Sequence, residues 1–341
     1  MNLYNAIRPL VFQLPPETAH TFTLKVLLTA HRCGLLRLIF KQPKPDPVTL
    51  MGLRFPNRVG LAAGLDKNGD YIDALGQLGF GFIEIGTVTP RPQPGNPSPR
   101  LFRIPQACAI INRMGFNNKG VDHLVRQVER STYNGILGIN IGKNFDTPLD
   151  KAVDDYVIAL RKVYRHASYV TLNISSPNTK NLRQLQQDEA LHSLLTTIKS
   201  EQVSLATTHG RYVPVVVKIA PDINDTEIKC MAVLFQECGV DGVIATNTSV
   251  DRTSVVGLPY SGETGGLSGA PLTKQSTHVV ATLAKHFDHK SPIIAAGGIM
   301  SAHDASDKLR AGAQLVQLYS GLIYTGPRLI TETVAALSGN E

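Results

Sequence analysis

From residue 59 onward the chain repeats one unit: a short apolar strand-like run, then a segment with helical spacing, then another apolar run. Strands read near 59–66, 82–88, 135–141, 169–175, 214–220, 242–247, 292–297 and 315–320. Runs such as Pro214-Val-Val-Val-Lys-Ile-Ala220 and Pro292-Ile-Ile-Ala-Ala296 are continuously apolar, as parallel strands buried on both faces should be. The intervening stretches Asp150 to His166, Asp188 to Gln202 and Asp225 to Cys238 have helical periodicity and an acidic residue near the start. Eight such units in about 280 residues fit a closed barrel better than an open doubly wound sheet. No GxGxxG opens a first βα unit, which weakens a dinucleotide fold further. The expected fold class is α/β, a (β/α)8 TIM barrel with a small N-terminal helical domain.

That small domain is expected over residues 1–44, with the barrel over 45–341. Leu3, Ile7, Leu10, Val11 and Leu14 recur at helix spacing up to Pro15-Pro16, and Ala19, Phe22, Val26, Leu27 and Ala30 do so in the next segment. A further apolar cluster, Leu35 to Phe40, precedes Lys41-Gln-Pro-Lys-Pro-Asp-Pro47, whose prolines forbid a helix and read as a linker. A short hairpin around Met51-Gly52 follows. The net charge is +7, and much of it is N-terminal: Arg8, Lys25, Arg32, Arg37, Lys41 and Lys44 face only Glu17. Basic helices with a greasy side either pack on the main domain or lie in a membrane interface. With no Lys/Arg run and few aromatics beside the basic residues, nucleic acid is not expected as a partner. The start has no charged leader with an apolar core and cleavage site, so export is not expected. No apolar run approaches the ~18 residues needed to span a bilayer.

The four cysteines, Cys33, Cys108, Cys230 and Cys238, form no CxxC pair and read as reduced, mostly buried thiols. There is no HExxH, and His286 with His289 reads as a solvated pair, so no metal is expected.

Chemistry concentrates where the strands end. Thr171-Leu-Asn-Ile-Ser-Ser-Pro-Asn-Thr179 crowds Asn173, Ser175, Ser176 and Asn178 at the end of an apolar run, and a TIM barrel puts its active site at that face. Gly297-Gly298 after the seventh strand and Tyr319-Ser320-Gly321 after the eighth stand where barrels commonly cradle phosphate with backbone N–H groups. Lys218 inside an apolar strand is costly unless it meets an anion. Asn112, Asn117, Asn173, Asn178 and Asn247 could hold a flat polar ring, and Lys67 its carboxylate. Each asparagine alone reads as a turn or capping residue; their repetition at strand ends points to a site.

Gly60-Leu-Ala-Ala-Gly-Leu-Asp-Lys67, Glu84-Ile-Gly-Thr-Val-Thr-Pro90, Asn112-Arg-Met-Gly-Phe-Asn-Asn118, Asn173-Ile-Ser-Ser-Pro-Asn178, Ala245-Thr-Asn-Thr248 and Gly265-Gly-Leu-Ser-Gly269 resemble the motifs of the dihydroorotate dehydrogenase family. Pro16-Glu-Thr-Ala-His20 and the helices around it resemble the membrane-associated, quinone-reducing class 2 bacterial members. The resemblance runs through essentially the whole chain. It implies one FMN per chain, oxidation of dihydroorotate to orotate in pyrimidine synthesis, and a quinone as co-substrate. It implies FMN contacts from Ala63, Gly64, Lys67, Thr87, Asn140, Asn173, Lys218, Thr246, Gly269, Gly298, Tyr319 and Ser320. Substrate contacts would come from Lys67, Asn112, Arg113, Met114, Gly115, Phe116, Asn173, Asn178, Asn247 and Thr248, with Ser176 as the base; the cytosolic class 1 enzymes use cysteine there. His20, Arg103 and Tyr319 would meet the quinone. The resemblance further implies a monomer, held peripherally on the cytoplasmic face of a bacterial membrane through residues 1–44. A class 1 enzyme, a dihydrouridine synthase and a non-catalytic phosphate-binding barrel are the rival readings.

Overall fold

The structure, a computed structural model, describes residues 3–339 except 180 and 289–290. His289 therefore lies outside the described residues. Helix α1 (Leu3–Val11), α2 (Pro16–Arg32) and α3 (Leu35–Ile39) come first, with Pro15 stopping one pattern and Pro16 starting the next in a first-turn position that needs no N–H. The hairpin β1 (Val48–Leu50) and β2 (Leu53–Phe55) follows, turning at Met51-Gly52 with both residues at positive φ. Next come β3 (Val59–Leu61), β4 (Phe82–Val88), β5 (Leu101–Ile104), β6 (Ala109–Asn112), β7 (Ile136–Ile141), β8 (Tyr169–Asn173), β9 (Val215–Ile219), β10 (Gly242–Ala245), β11 (Gly266–Gly269), β12 (Ile293–Ala296) and β13 (Leu315–Leu318).

Strands β3, β4, β7, β8, β9, β10, β12 and β13 close in that order into an all-parallel barrel, at the eight places where the sequence predicts strands. Strands β4 and β7 end where expected and the other six end one to five residues early, where their polar ends leave the ladder. After β3 the chain turns around the buried Asp66 carboxylate, which accepts the N–H groups of Asn68 (3.2 Å), Asp70 (3.0 Å) and Tyr71 (2.7 Å). Helices such as Ala152–Val163, Asp188–His209 and Asp225–Glu237 pack outside, and their apolar stripes form the larger core with the outward side chains of the strands.

Side chains alternate along a strand, so the barrel interior is built in layers. Its floor is apolar: Phe55 of the hairpin meets Phe82 edge-on at 5.2 Å, Phe82 meets Tyr169 at 6.4 Å, and Val216, Ile244, Ile294 and Leu315 complete the layer. Gly60 and Gly138 leave space for these rings; a Cβ on Gly138 would lie 2.2 Å from Tyr169 Cζ. Two residues further along the strands, the inward positions become polar: Glu84, Thr171, Lys218 and Gln317 are all buried.

One sheet has no counterpart in the sequence reading. β5, β6 and β11 form an antiparallel sheet, with Leu267 opposite Ile111 and Ile111 opposite Phe102. Leu101, Ile110, Ser268 and Gly269 of this sheet wall the cavity at the barrel mouth. The N-terminal helices dock at the same rim. Arg103 of β5 donates to the carbonyls of Phe12 and Leu14 and covers the Phe12 ring at 4.5 Å, while Glu17 of α2 binds Arg100.

The thiols depart from expectation. Cys33, Cys108 and Cys230 are exposed and Cys238 is half-buried. Cys33 caps the end of α2, Cys108 occupies a left-handed turn (φ 46°) between β5 and β6, and Cys230 faces outward from its helix.

Candidate active site

A polar layer closes the bottom of the site. Glu84 accepts from Asn140 Nδ2 (2.8 Å), Tyr169 OH (2.9 Å) and Gln317 Nε2 (2.8 Å). Asn140 passes the order upward: Thr87 Oγ1 donates to Asn140 Oδ1 (2.6 Å) and accepts from Asn173 Nδ2 (2.8 Å). Asn247 Nδ2 then reaches Asn173 Oδ1 and Ser175 Oγ, both at 3.1 Å, and the Ser175 hydroxyl donates to the Lys218 carbonyl (2.6 Å). Four successive strands, β4, β7, β8 and β9, and the turn after β10 are thereby locked in one register.

Above this layer lies a cavity of about 1190 Å³, open solvent at the mouth included. Of the residues the sequence puts forward, Ala63, Gly64, Lys67, Thr87, Asn112, Met114, Gly115, Phe116, Asn173, Ser176, Asn178, Lys218, Thr246, Asn247, Thr248, Gly269, Gly298, Tyr319, Ser320 and His20 line it. Three stand off. Asn140 lies in the layer below; Arg113 turns away to pair with Glu263 and cover the Phe102 ring at 4.7 Å; Arg103 is held at the α1–α2 corner. Asn117 also stays outside the lining.

Two ammonium groups dominate the electrostatics. Lys218 is buried, and its Nζ has no hydrogen-bond partner among the described residues; burial lowers its pKa and Glu84 opposes that shift. Burial also brings the Lys67 pKa down to about 8, with Arg100 pushing the same way and Glu17 resisting. Positive charge freed from partners and aimed into a cavity calls for an anion or an electron-rich edge. His20, half-buried near Lys67, is lowered to about 4 and stays neutral near pH 7; desolvation drives the Tyr319 phenol up to about 12.

Ser176 Oγ accepts the Asn178 N–H at 3.2 Å, and Asn178 Nδ2 donates to Asn112 Oδ1 at 3.1 Å. The serine loop is tied down by Arg183, which donates to the carbonyls of Ser175 (3.1 Å) and Thr248 (2.9 Å) and pairs with Asp222 (2.8 Å). Gly297 and Gly298, which also line the cavity, take φ of 105° and 69°, conformations that strongly favour glycine. Glu84 and Gln317 are functional neighbours that the sequence reading passed over. The signal for Glu84 was the one that flagged Lys218, an ionisable residue inside an apolar strand.

The arrangement can hold a large planar ligand between a polar floor and a glycine-lined anion end. A family model described as dihydroorotate dehydrogenase matches residues 47–338. A relative from Nitrosospira multiformis named dihydroorotate dehydrogenase (quinone) is 61% identical over 338 residues, covering 98% of this chain and 96% of its own. One of the same name from Pseudomonas aeruginosa strain UCBPP-PA14 is 58% identical over 336 residues, covering 98% of each. Among solved structures, DHODH from Eimeria tenella in complex with ferulenol superposes with a TM-score of 0.87 at 38% identity, covering 96% of this chain and 93% of that one.

Proposed function

The chain belongs to the dihydroorotate dehydrogenase family, and from that premise we propose that it oxidises (S)-dihydroorotate to orotate with FMN as hydride acceptor and a membrane quinone as terminal acceptor. This would be the fourth step of pyrimidine (UMP) synthesis. The observation that carries the reading is that Ser176, Lys67 and Lys218 line one cavity together with Gly269, Gly297 and Gly298. Bound FMN would supply the two-electron chemistry, as acceptor of the substrate's hydride and donor to the quinone.

The residues present suit that cofactor. The N–H groups of Gly298, Tyr319 and Ser320 have no acceptor among the described residues and can take a phosphate, with Gly269 close by. Thr87, Asn173, Thr246 and Lys218 offer donors and acceptors to a polar ring edge, and Ala63 and Gly64 form a flat wall. Lys218 stabilises negative charge at that edge without having to reorganise.

Substrate is held by Lys67 through its carboxylate and by Asn112, Asn178, Asn247 and Thr248 through its ring amides; this fixed orientation supplies the entropic part of catalysis. Ser176 takes the C5 proton as its own hydroxyl proton passes to a relay of water or hydroxyls that leads to solvent. The Asn178 N–H stays on Ser176 Oγ when the hydroxyl loses its own proton, stabilising the oxygen as charge develops.

Electrons leave by the N-terminal side. His20 and Tyr319 line the cavity where a quinone head can arrive, and Arg103 fixes the α1–α2 corner beside it. Ile7, Leu10, Phe22, Val26, Leu38 and Ile39 on these helices are exposed, an apolar surface suited to peripheral contact with the cytoplasmic face of a membrane. No helix among the described residues is long and apolar enough to cross one. Purified protein should be yellow, release FMN identifiable by mass, and bleach anaerobically on addition of dihydroorotate. Colourless protein unable to take up FMN would defeat the reading.

A further inference from the structure

Lys308 has no part in the chemistry above, yet it is the most unusual charge in the molecule. It lies on helix Ala302–Arg310 with its side chain fully buried. Its ammonium donates to Thr273 O (3.0 Å), Thr277 Oγ1 (2.7 Å) and Ser276 Oγ, three neutral acceptors on one neighbouring helix. No carboxylate among the described residues touches it. Asp304 and Asp307 of its own helix act only from a distance, and burial brings its pKa down to about 7. An apolar side chain would fill the same space without the cost of desolvating a charge.

The hydrogen bonds beyond Lys308 show what the charge organises. With a Lys308 N–H aimed at its oxygen, Ser276 sends its own proton to the Gly297 carbonyl at 2.8 Å; the alternative acceptor, Thr273 O at 3.4 Å, already serves Lys308. Thr273 Oγ1 reaches the Gly298 carbonyl at 2.6 Å. Across a trans peptide, C=O and N–H point in opposite directions. Pinning both carbonyls to the helix Thr273–His286 therefore turns the N–H groups of Gly298 and Ile299 the other way, towards the cavity that these residues line. The turn has no slack, since a Cβ on Gly298 would lie 2.3 Å from Thr273 Cα.

We propose that Lys308 is a positioning residue for the flavin phosphate: through Ser276 and Thr273 it sets the peptide units of residues 297–299 with their N–H groups outward, and it leaves a positive charge behind them. The inference rests on the FMN reading above. Its test uses the full chain, stripped of flavin and refilled with FMN or with riboflavin, which lacks only the phosphate, following the quenching of flavin fluorescence. Lys308→Met should weaken FMN binding about tenfold or more, the scale of a charge-assisted hydrogen bond, and leave riboflavin binding within about twofold. Equal weakening of both flavins, or of neither, would overturn the proposal. Should Lys308→Met not fold, Ser276→Ala decides: it removes the relay to Gly297 while the ammonium keeps two acceptors. A loss confined to FMN supports the proposal, and a parallel loss or no loss overturns it. Wild-type chain that takes up neither flavin would defeat the FMN reading, and this inference with it.

Discussion

Lys67 permits a quantitative test, because its surroundings fix the pH range over which it can hold an anion. Its pKa is brought down to about 8 by burial, with Arg100 adding to the shift and Glu17 opposing it. On that value roughly nine-tenths of free enzyme carries the ammonium at pH 7, about half at pH 8 and roughly one-tenth at pH 9. If the ammonium binds the substrate carboxylate, kcat/KM for dihydroorotate should fall about tenfold between pH 7 and pH 9. The limb in kcat should lie higher, because a bound carboxylate favours the charged lysine. Glu17→Gln supplies the sign. Glu17 accepts from Arg100 Nη2 at 2.7 Å and Nε at 3.1 Å, so its neutralisation both removes the charge that sustains Lys67 and leaves the guanidinium uncompensated. Both effects lower the Lys67 pKa, and the alkaline limb should move to lower pH. Initial rates with a soluble quinone analogue across pH 6–10 would measure this, with kcat/KM for the quinone as the control. A flat kcat/KM for dihydroorotate between pH 7 and 9, or a limb displaced upward in Glu17→Gln, would refute the reasoning.

The base is tested by Ser176→Ala, which should retain FMN while anaerobic flavin reduction by dihydroorotate slows ~10²–10⁴-fold in stopped flow; a near-normal rate would remove Ser176 from its role. At the barrel floor, Gly138→Ala places a Cβ 2.2 Å from Tyr169 Cζ and should cost about 1–3 kcal/mol, read as a lowered Tm, whereas an unchanged Tm would contradict the packing of that ring. For the membrane face, Phe22→Asp or Leu38→Asp should reduce sedimentation with anionic vesicles and quinone turnover, leaving flavin reduction by dihydroorotate intact; equal loss of both half-reactions would mean that the helices chiefly support the fold.

Much of the fold was legible because a parallel barrel strand buried on both faces has nowhere to put polar residues except at its ends. Val215–Ile219 and Ile293–Ala296 are buried throughout; in the sequence the second is an unbroken apolar run and the first is apolar but for Lys218. The same logic exposed Lys218, whose neighbours leave it no polar surroundings of its own. Glu84 satisfies that logic equally but sits in mid-strand, where attention to strand ends passes over it. Side-chain direction was less accessible. Asn112 and Arg113 are adjacent in one motif, yet Asn112 faces the cavity and Arg113 faces Glu263, since successive residues of an extended chain point to opposite sides. A motif therefore brings a segment to the site without saying which of its side chains arrive. The β5–β6–β11 sheet was beyond local reading because Gly266–Gly269 pairs with Ala109–Asn112 across roughly half the chain. Lys308 was the least legible, for a lysine on a short polar helix is ordinarily solvated. Only the packing of Ala302–Arg310 against Thr273–His286 removes its water, and only the Thr273 carbonyl and the hydroxyls of Ser276 and Thr277 make that tolerable. Periodicity carries the strands and a lone ionisable residue in an apolar run carries part of the site, whereas a buried charge satisfied by another helix becomes visible only once both helices are in place.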